Sequence, residues 1–242
     1  MPPIIHIQET DSTSNYLKRL LHTENVEEGT IVFADYQSSG KGQRGNAWES
    51  EKGKNLLFSI VLYPPVKANE QFVISQIISL AVSDLLKEYT NDISIKWPND
   101  IYWKEKKICG ILVENTLIGE YIKESVCGIG ININQETFVS NAPNPVSLQQ
   151  IANKEFDLLE LLNQAKDKIG YYYNKLISGE IALIKNQYES SLFRKDGYYQ
   201  YNDGKHVFSA RIIDIETNGL LVLQDKNGEI RKFAFKEIKY IL

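Results

Sequence analysis

Between two β-rich segments, IVFADYQ (Ile31 to Gln37) and NLLFSIVLY (Asn55 to Tyr63), the chain carries GKGQRGNAWES (Gly40 to Ser50). Three glycines in six residues (Gly40, Gly42, Gly45), interleaved with Lys41 and Arg44, interrupt any sheet and make a loop whose backbone N–H groups are open to an anion. Pro64 and Pro65 close the second strand. GxxxxGK followed by Ser or Thr is absent, and no helical pattern follows the loop as a dinucleotide-binding turn requires, so the two common phosphate loops are excluded. Taken alone, the segment fits either phosphate or carboxylate binding or a solvated surface hairpin.

The rest of the chain says what this loop is mounted on. From Asn69 to Tyr89, two adjacent rows (Val73, Ile77, Ala81, Leu85 and Ile74, Ile78, Val82, Leu86) predict a broad-faced helix packed on a sheet. SIKWPNDIYW (Ser94 to Trp103) reads as strand, break at Trp97-Pro98, strand. ICGILVEN and YIKESVCGIGININ read as two more strands with a turn near Gly119. Helical spacing returns from Phe156 to Ser191 with Leu158, Leu159, Leu161, Leu162 and Ile169. Beyond Phe193, short alternating runs are joined by Asn202-Asp203-Gly204, Asn218-Gly219 and Asn227-Gly228, which are tight-hairpin signals. The expected fold class is α+β, a mixed, mostly antiparallel sheet flanked by helices. The expected domains are residues 1–192 and a small β-barrel-like unit of five strands over 193–242.

Composition narrows the function classes. A net charge of −4 argues against nucleic-acid binding through bulk positive charge, so any phosphate contact is local. No window approaches the ~18 apolar residues of a membrane span, and MPPIIHIQET lacks a basic leader. Cys109 and Cys127 lie in apolar segments without a CxxC or paired histidines, which reads as buried free thiols in a reducing compartment. The expected location is the cytoplasm, with neither DNA nor membrane as partner.

Three further stretches bear on the loop's chemistry. KWPND (Lys96 to Asp100) offers a cation, an amide and a carboxylate at one strand break, which suits phosphoryl chemistry with Asp100 as a candidate Mg²⁺ ligand and also suits an ordinary turn capped by Asn99 and Asp100. In KKICGILVEN (Lys106 to Asn115), Lys107 stands at the mouth of an apolar strand whose Gly110 permits a ligand's close approach. In GIGININ (Gly128 to Asn134), the period-two rule places Asn132 and Asn134 on one face of a strand, serving a ligand or a structural network.

GKGQRGNAW, KWPND, KICGILVE and GIGININ, in this order and spacing, resemble the motifs of the biotin protein ligases. The resemblance spans about Asp11 to Ser191, and the all-β tail is similar to that family's Src-homology-3-like C-terminal domain. It implies a class II aminoacyl-tRNA-synthetase-like fold and a two-step ligation with biotin, ATP and Mg²⁺ as substrates, no tightly bound cofactor, and a biotin carboxyl carrier protein or domain as acceptor. The fold and carrier chemistry are shared with lipoate or octanoate ligases, and a sensor without turnover is the non-enzymatic alternative.

By the same resemblance, Lys107 bridges the biotin carboxylate and the α-phosphate, with Lys41, Arg44, Lys96 and Asp100 completing the catalytic set. Ser12, Thr13, Gln37, Gly40, Lys41, Lys107 and Gly110 contact biotin; Gly42, Arg44, Gly45, Trp48, Asn99 and Asn132 contact the adenylate. Ser12 and Thr13 also suit a helix N-cap before NYLKRLL. The chain departs from the family pattern at Gln43 and Asn46, where arginines are usual, and at Lys41, which keeps charge without the planar fork. With DSTSN beginning at Asp11, no preceding DNA-binding module and no repressor function are expected. The sequence leaves a homodimer open.

Overall fold

The computed structural model of the chain describes residues 2–42, 47–139 and 144–241. Its larger sheet has seven strands: β1 (Ile4–Thr10), β2 (Ile31–Gln37), β3 (Leu56–Leu62), β4 (Ile93–Lys96), β5 (Asp100–Trp103), β6 (Lys106–Ile118) and β7 (Tyr121–Ile131). Their order is β1-β2-β3-β7-β6-β5-β4, antiparallel throughout except for the parallel pair β1 and β2.

β3 shows why the sheet is covered on both sides. All seven of its residues are buried, and their side chains alternate between two cores. Phe58, Ile60 and Leu62 join the large core beneath α2 (Phe72–Lys87), α4 (Leu158–Ile177) and α5 (Ile181–Ser190). Val61 joins a smaller cluster with Leu17 of α1 (Thr13–Thr23), Val32 and Val126 on the opposite face. The two apolar rows of α2 are buried as their spacing requires, and Asp157 caps α4 by accepting from the N–H groups of Leu159 and Glu160. A short α3 (Leu148–Ala152) opens with a Ser147/Gln150 capping box.

The second sheet holds β8 (Tyr199–Asn202), β9 (Val207–Ile215), β10 (Leu221–Asp225), β11 (Ile230–Phe233) and β12 (Lys239–Tyr240), in the order β11-β10-β9-β8-β12. Each of the three hairpin dipeptides marks a turn between consecutive strands. Gly219, with φ +90°, is required twice over, because a Cβ there would also lie 2.7 Å from Cδ2 of Phe72. Its carbonyl accepts a 3.0 Å bond from Nε1 of Trp97, whose peptide bond to Pro98 is cis. Lys185 pairs with Asp214 at 2.6 Å, and the Ile215 N–H donates to Glu189. These contacts fix the small sheet against the α2/α5 side and the KWPND turn.

Two features differ from the sequence expectation. MPPIIHIQET holds β1, an edge strand whose parallel partner is reached only after α1. Asn132 and Asn134 do not share a strand face, since β7 ends at Ile131. Their amides organise the crossing segments: Asn132 Nδ2 donates to the Val146 carbonyl, and Asn134 exchanges two bonds with the Phe156 backbone. Among the described residues no helix is long and apolar enough to cross a membrane.

Candidate active site

On the α1 face of the sheet, β6 and β7 carry Gly110, Gly128 and Gly130, with Gly110 opposite Gly130 and Leu112 opposite Gly128. Side chains at these positions would fill the space; their absence opens a cavity of about 520 Å³ between α1, the glycine-rich loop and the KWPND turn.

The indole of Trp48 lies on this glycine floor. A Cβ on Gly110 would stand 2.7 Å from its Cζ3, and one on Gly130 2.6 Å from its Cε2. The loop is held at its base by a bridge between Lys41 and Ala47 and by the Trp48 N–H donating to the Gly40 carbonyl at 2.9 Å. Gly40 is needed there because a Cβ would meet the Trp48 carbonyl at 2.8 Å. Trp48 Nε1 is buried against Gly130, with no hydrogen-bond partner among the described residues.

One end of the cavity is built of neutral hydrogen-bonding groups. Gln37 Oε1 accepts from the Thr13 N–H at 2.7 Å and from its hydroxyl at 3.0 Å. Ser59 Oγ lies 2.7 Å from Thr13 Oγ1 and 2.9 Å from Ser14 Oγ. Ser12 occupies the N-cap position of α1 but its side chain makes no capping bond; a first-turn N–H is satisfied instead by Gln37 from β2. Gln37 therefore ties the helix terminus to the strand that leads into the loop.

The other end is charged. Lys107 Nζ pairs with Asp100 Oδ1 at 2.7 Å and lies 5.7 Å from the Trp48 ring centroid. Lys96 Nζ donates to Tyr102 Oη at 3.0 Å. Burial pushes the Lys96 amine below the ordinary lysine range; the Asp100 charge opposes that shift, and Lys107 and Arg194 add to it. At the rim, Lys41 Nζ donates to Asn15 Oδ1 at 2.8 Å. Asn15 in turn donates to Asp11, whose carboxyl the Arg19 guanidinium holds well below the usual range.

Of the residues singled out in the sequence, Ser12, Thr13, Gln37, Lys41, Gly42, Trp48, Lys96, Asp100, Lys107, Gly110 and Asn132 all line this one cavity. Gly40 lies behind it, against Trp48 and Gln37. Asn99 is not among the lining residues: it is buried, and its amide donates to the Ile111 carbonyl at 3.0 Å, bracing the strand break. Arg44 and Gly45 lie outside the described residues, as do Gln43 and Asn46. Among the described residues, no three of His, Cys, Asp and Glu come together as a metal site. A single carboxylate such as Asp100 fits a cation like Mg²⁺, which takes most of its ligands from substrate phosphates and water.

Sequence reasoning missed Ser14, Ser59 and Phe235. Ser59 was detectable as the lone hydroxyl in LLFSIVL. Phe235, which reaches the cavity from the segment between β11 and β12, has no motif to announce it.

Known proteins with this arrangement are close at hand. Residues 6–132 match the model of the Biotin/lipoate A/B protein ligase family. The Bacillus subtilis bifunctional ligase/repressor BirA is 27% identical over 90% of this chain and 68% of its own length. The human biotin–protein ligase is 35% identical over 94% of this chain, which spans only 32% of that protein. In structure, the biotin protein ligase from Aquifex aeolicus in complex with biotin and ATP superposes with a TM-score of 0.81 at 27% identity, covering both chains completely. The match of the family model over more than half of the chain places it: the protein belongs to the biotin/lipoate A/B protein ligase family.

Proposed function

We propose that this protein is an ATP-dependent biotin protein ligase that forms biotinyl-5′-AMP and passes the biotinyl group to a lysine of a biotin carboxyl carrier protein or domain. The observation that carries this reading is the polarity of one cavity, with the neutral Thr13/Ser14/Ser59/Gln37 cluster at one end, the Lys107–Asp100 pair at the other and Trp48 between them. A ureido group needs several aimed donors and acceptors in an apolar wall, which the first end supplies. A carboxylate meeting a triphosphate needs positive charge, which the second end supplies.

In the first step a biotin carboxylate oxygen attacks the α-phosphorus, the bond to the bridging oxygen breaks, and pyrophosphate leaves. Lys107 is assigned to the two anions that approach each other, with Lys96 and Lys41 adding charge at the phosphate end. When bound, Mg²⁺ would neutralise phosphate charge beside Asp100. In the second step the carrier lysine amine, having lost a proton, attacks the acyl carbon and AMP departs. The glycine-rich loop, including Arg44, is assigned to cover the acyl-adenylate and keep water from it.

Residues 1–192 form the proposed catalytic unit and 193–242 the accessory one. The cytoplasm is the proposed setting, in keeping with two buried free thiols. The deciding experiment is pyrophosphate exchange into ATP with biotin, lipoate or octanoate as the acid. Exchange with biotin is the expected result; exchange only with lipoate or octanoate would reassign the acid within the family, and none with any acid would leave a sensor.

A further inference from the structure

The charged end of the cavity holds a second cation whose surroundings come from both sheets. Lys96 leaves the last residue of β4, and its ammonium lies 4.7 Å from the ring centroid of Tyr102 on β5 and 5.3 Å from that of Tyr240 on β12, in the small sheet. Phe193 packs against both rings, at 5.5 Å from Tyr102 and 6.2 Å from Tyr240, and Tyr201 of β8 meets Tyr240 edge-on at 5.0 Å. The charged groups that act on Lys96 are Asp100, Lys107 and Arg194, and Asp100 is already bonded to Lys107. Lys96 is thus held at the phenol oxygen of Tyr102 and beside the ring of Tyr240. An ammonium held this way gives up no carboxylate partner when a phosphate arrives.

We propose that Tyr240 is a positioning residue for Lys96, so that the final strand of the small sheet supplies one wall of an aromatic cage that aims this ammonium at polyphosphate in the cavity of the large sheet. The inference rests on the ligase reading for the identity of the nucleotide, while the cage itself requires only an anionic phosphate ligand. The ring of Tyr240 carries the role and its hydroxyl does not: among the described residues, buried Tyr240 Oη has no hydrogen-bond partner, and neither has Tyr201 Oη.

The test uses the full-length chain with Tyr240→Phe, Tyr240→Leu, Lys96→Met and the double variant Lys96→Met/Tyr240→Leu. Two readouts are taken, calorimetric binding of tripolyphosphate, which needs no turnover, and the KM values for ATP and biotin in pyrophosphate exchange. Tyr240→Leu is expected to weaken tripolyphosphate binding about tenfold and to raise the ATP KM by a similar factor with the biotin KM unchanged. Tyr240→Phe is expected to bind as the parent does. In the Lys96→Met background, Tyr240→Leu is expected to add nothing. Should Tyr240→Leu fail to fold, Tyr240→Met, whose unbranched side chain adapts to irregular space, replaces it in the same cycle. An undiminished Tyr240→Leu effect without Lys96, a Tyr240→Phe loss equal to that of Tyr240→Leu, or no tripolyphosphate binding by the parent would each overturn the proposal. Coupled tripolyphosphate binding without biotin-dependent exchange would uphold the cage and sink the ligase reading instead.

Discussion

Gly110 and Gly130 are register partners on β6 and β7, and neither can gain a methyl group without coming within 2.7 Å of the Trp48 ring. The restriction comes from the loop side chain laid across them, since both glycines sit in otherwise regular strands. Gly130→Ala is therefore expected to lift the indole off its floor while leaving the sheet intact, since alanine in a strand is favoured over glycine by about 0.5–1 kcal/mol. Biotin or ATP affinity measured by calorimetry should fall at least about tenfold, with a melting temperature within about 4 °C of the parent. Parental affinity for both ligands would show that the position of the indole is irrelevant to binding.

Lys107 is the cation nearest the assigned chemistry and its replacement should cost turnover more than affinity. Lys107→Met is expected to lower the exchange kcat by about 10²–10³, the loss typical of one preorganised charge. Lys107→Arg should recover little, because a planar fork cannot keep the single 2.7 Å contact to Asp100 and also fit the same space beside Trp48. Asp100→Asn should raise the Mg²⁺ concentration needed for half-maximal exchange. An unshifted Mg²⁺ titration would confine Asp100 to orienting Lys107.

Much of this site was legible because its chemistry is local in sequence. The glycine loop had to lie between two strands, and the three hairpin dipeptides had to turn the small sheet. Contributions that depend on distant pairing were not legible. β1 is a half-exposed edge strand whose partner lies beyond a helix, so IIHIQET shows no clean alternation. Asn132 fits the strand period but falls one residue after the ladder stops, where its amide serves Val146 instead. Phe235 enters the cavity from the other sheet, and no spacing rule reaches across two sheets.

Ser59 joins stability to recognition. Its buried hydroxyl is the meeting point of Thr13 and Ser14, so Ser59→Ala leaves both without that partner and should cost about 1–3 kcal/mol in urea unfolding. The acid KM should rise with it, because Thr13 and Gln37 share the same network. A stability loss with an unchanged acid KM would make the cluster purely structural.

The last prediction concerns pH and uses a thiol remote from the cavity chemistry. Cys127 lies fully buried on β7, in register with Ile60 and Val113, and burial pushes its thiol up to about 12. An unfolded cysteine titrates near about 8.5. Below that pH both states keep the proton and the thiol makes no pH-dependent difference; above it the unfolded chain loses the proton first, so stability falls as pH rises toward the folded value. The slope is about 1.4 kcal/mol per pH unit for one thiol. Cys109 and the buried tyrosines Tyr172 and Tyr173 are shifted the same way and add their own slopes, so the contribution of Cys127 is read as a difference between two proteins. Cys127→Ala should be less stable than the parent at pH 7, having lost packing in the core. Between pH 9 and pH 10, however, its unfolding free energy should fall less steeply, by about 1.4 kcal/mol per unit, so the two curves converge. Urea unfolding of both proteins at pH 7, 9 and 10 measures this, and parallel curves would mean that the thiol is not buried.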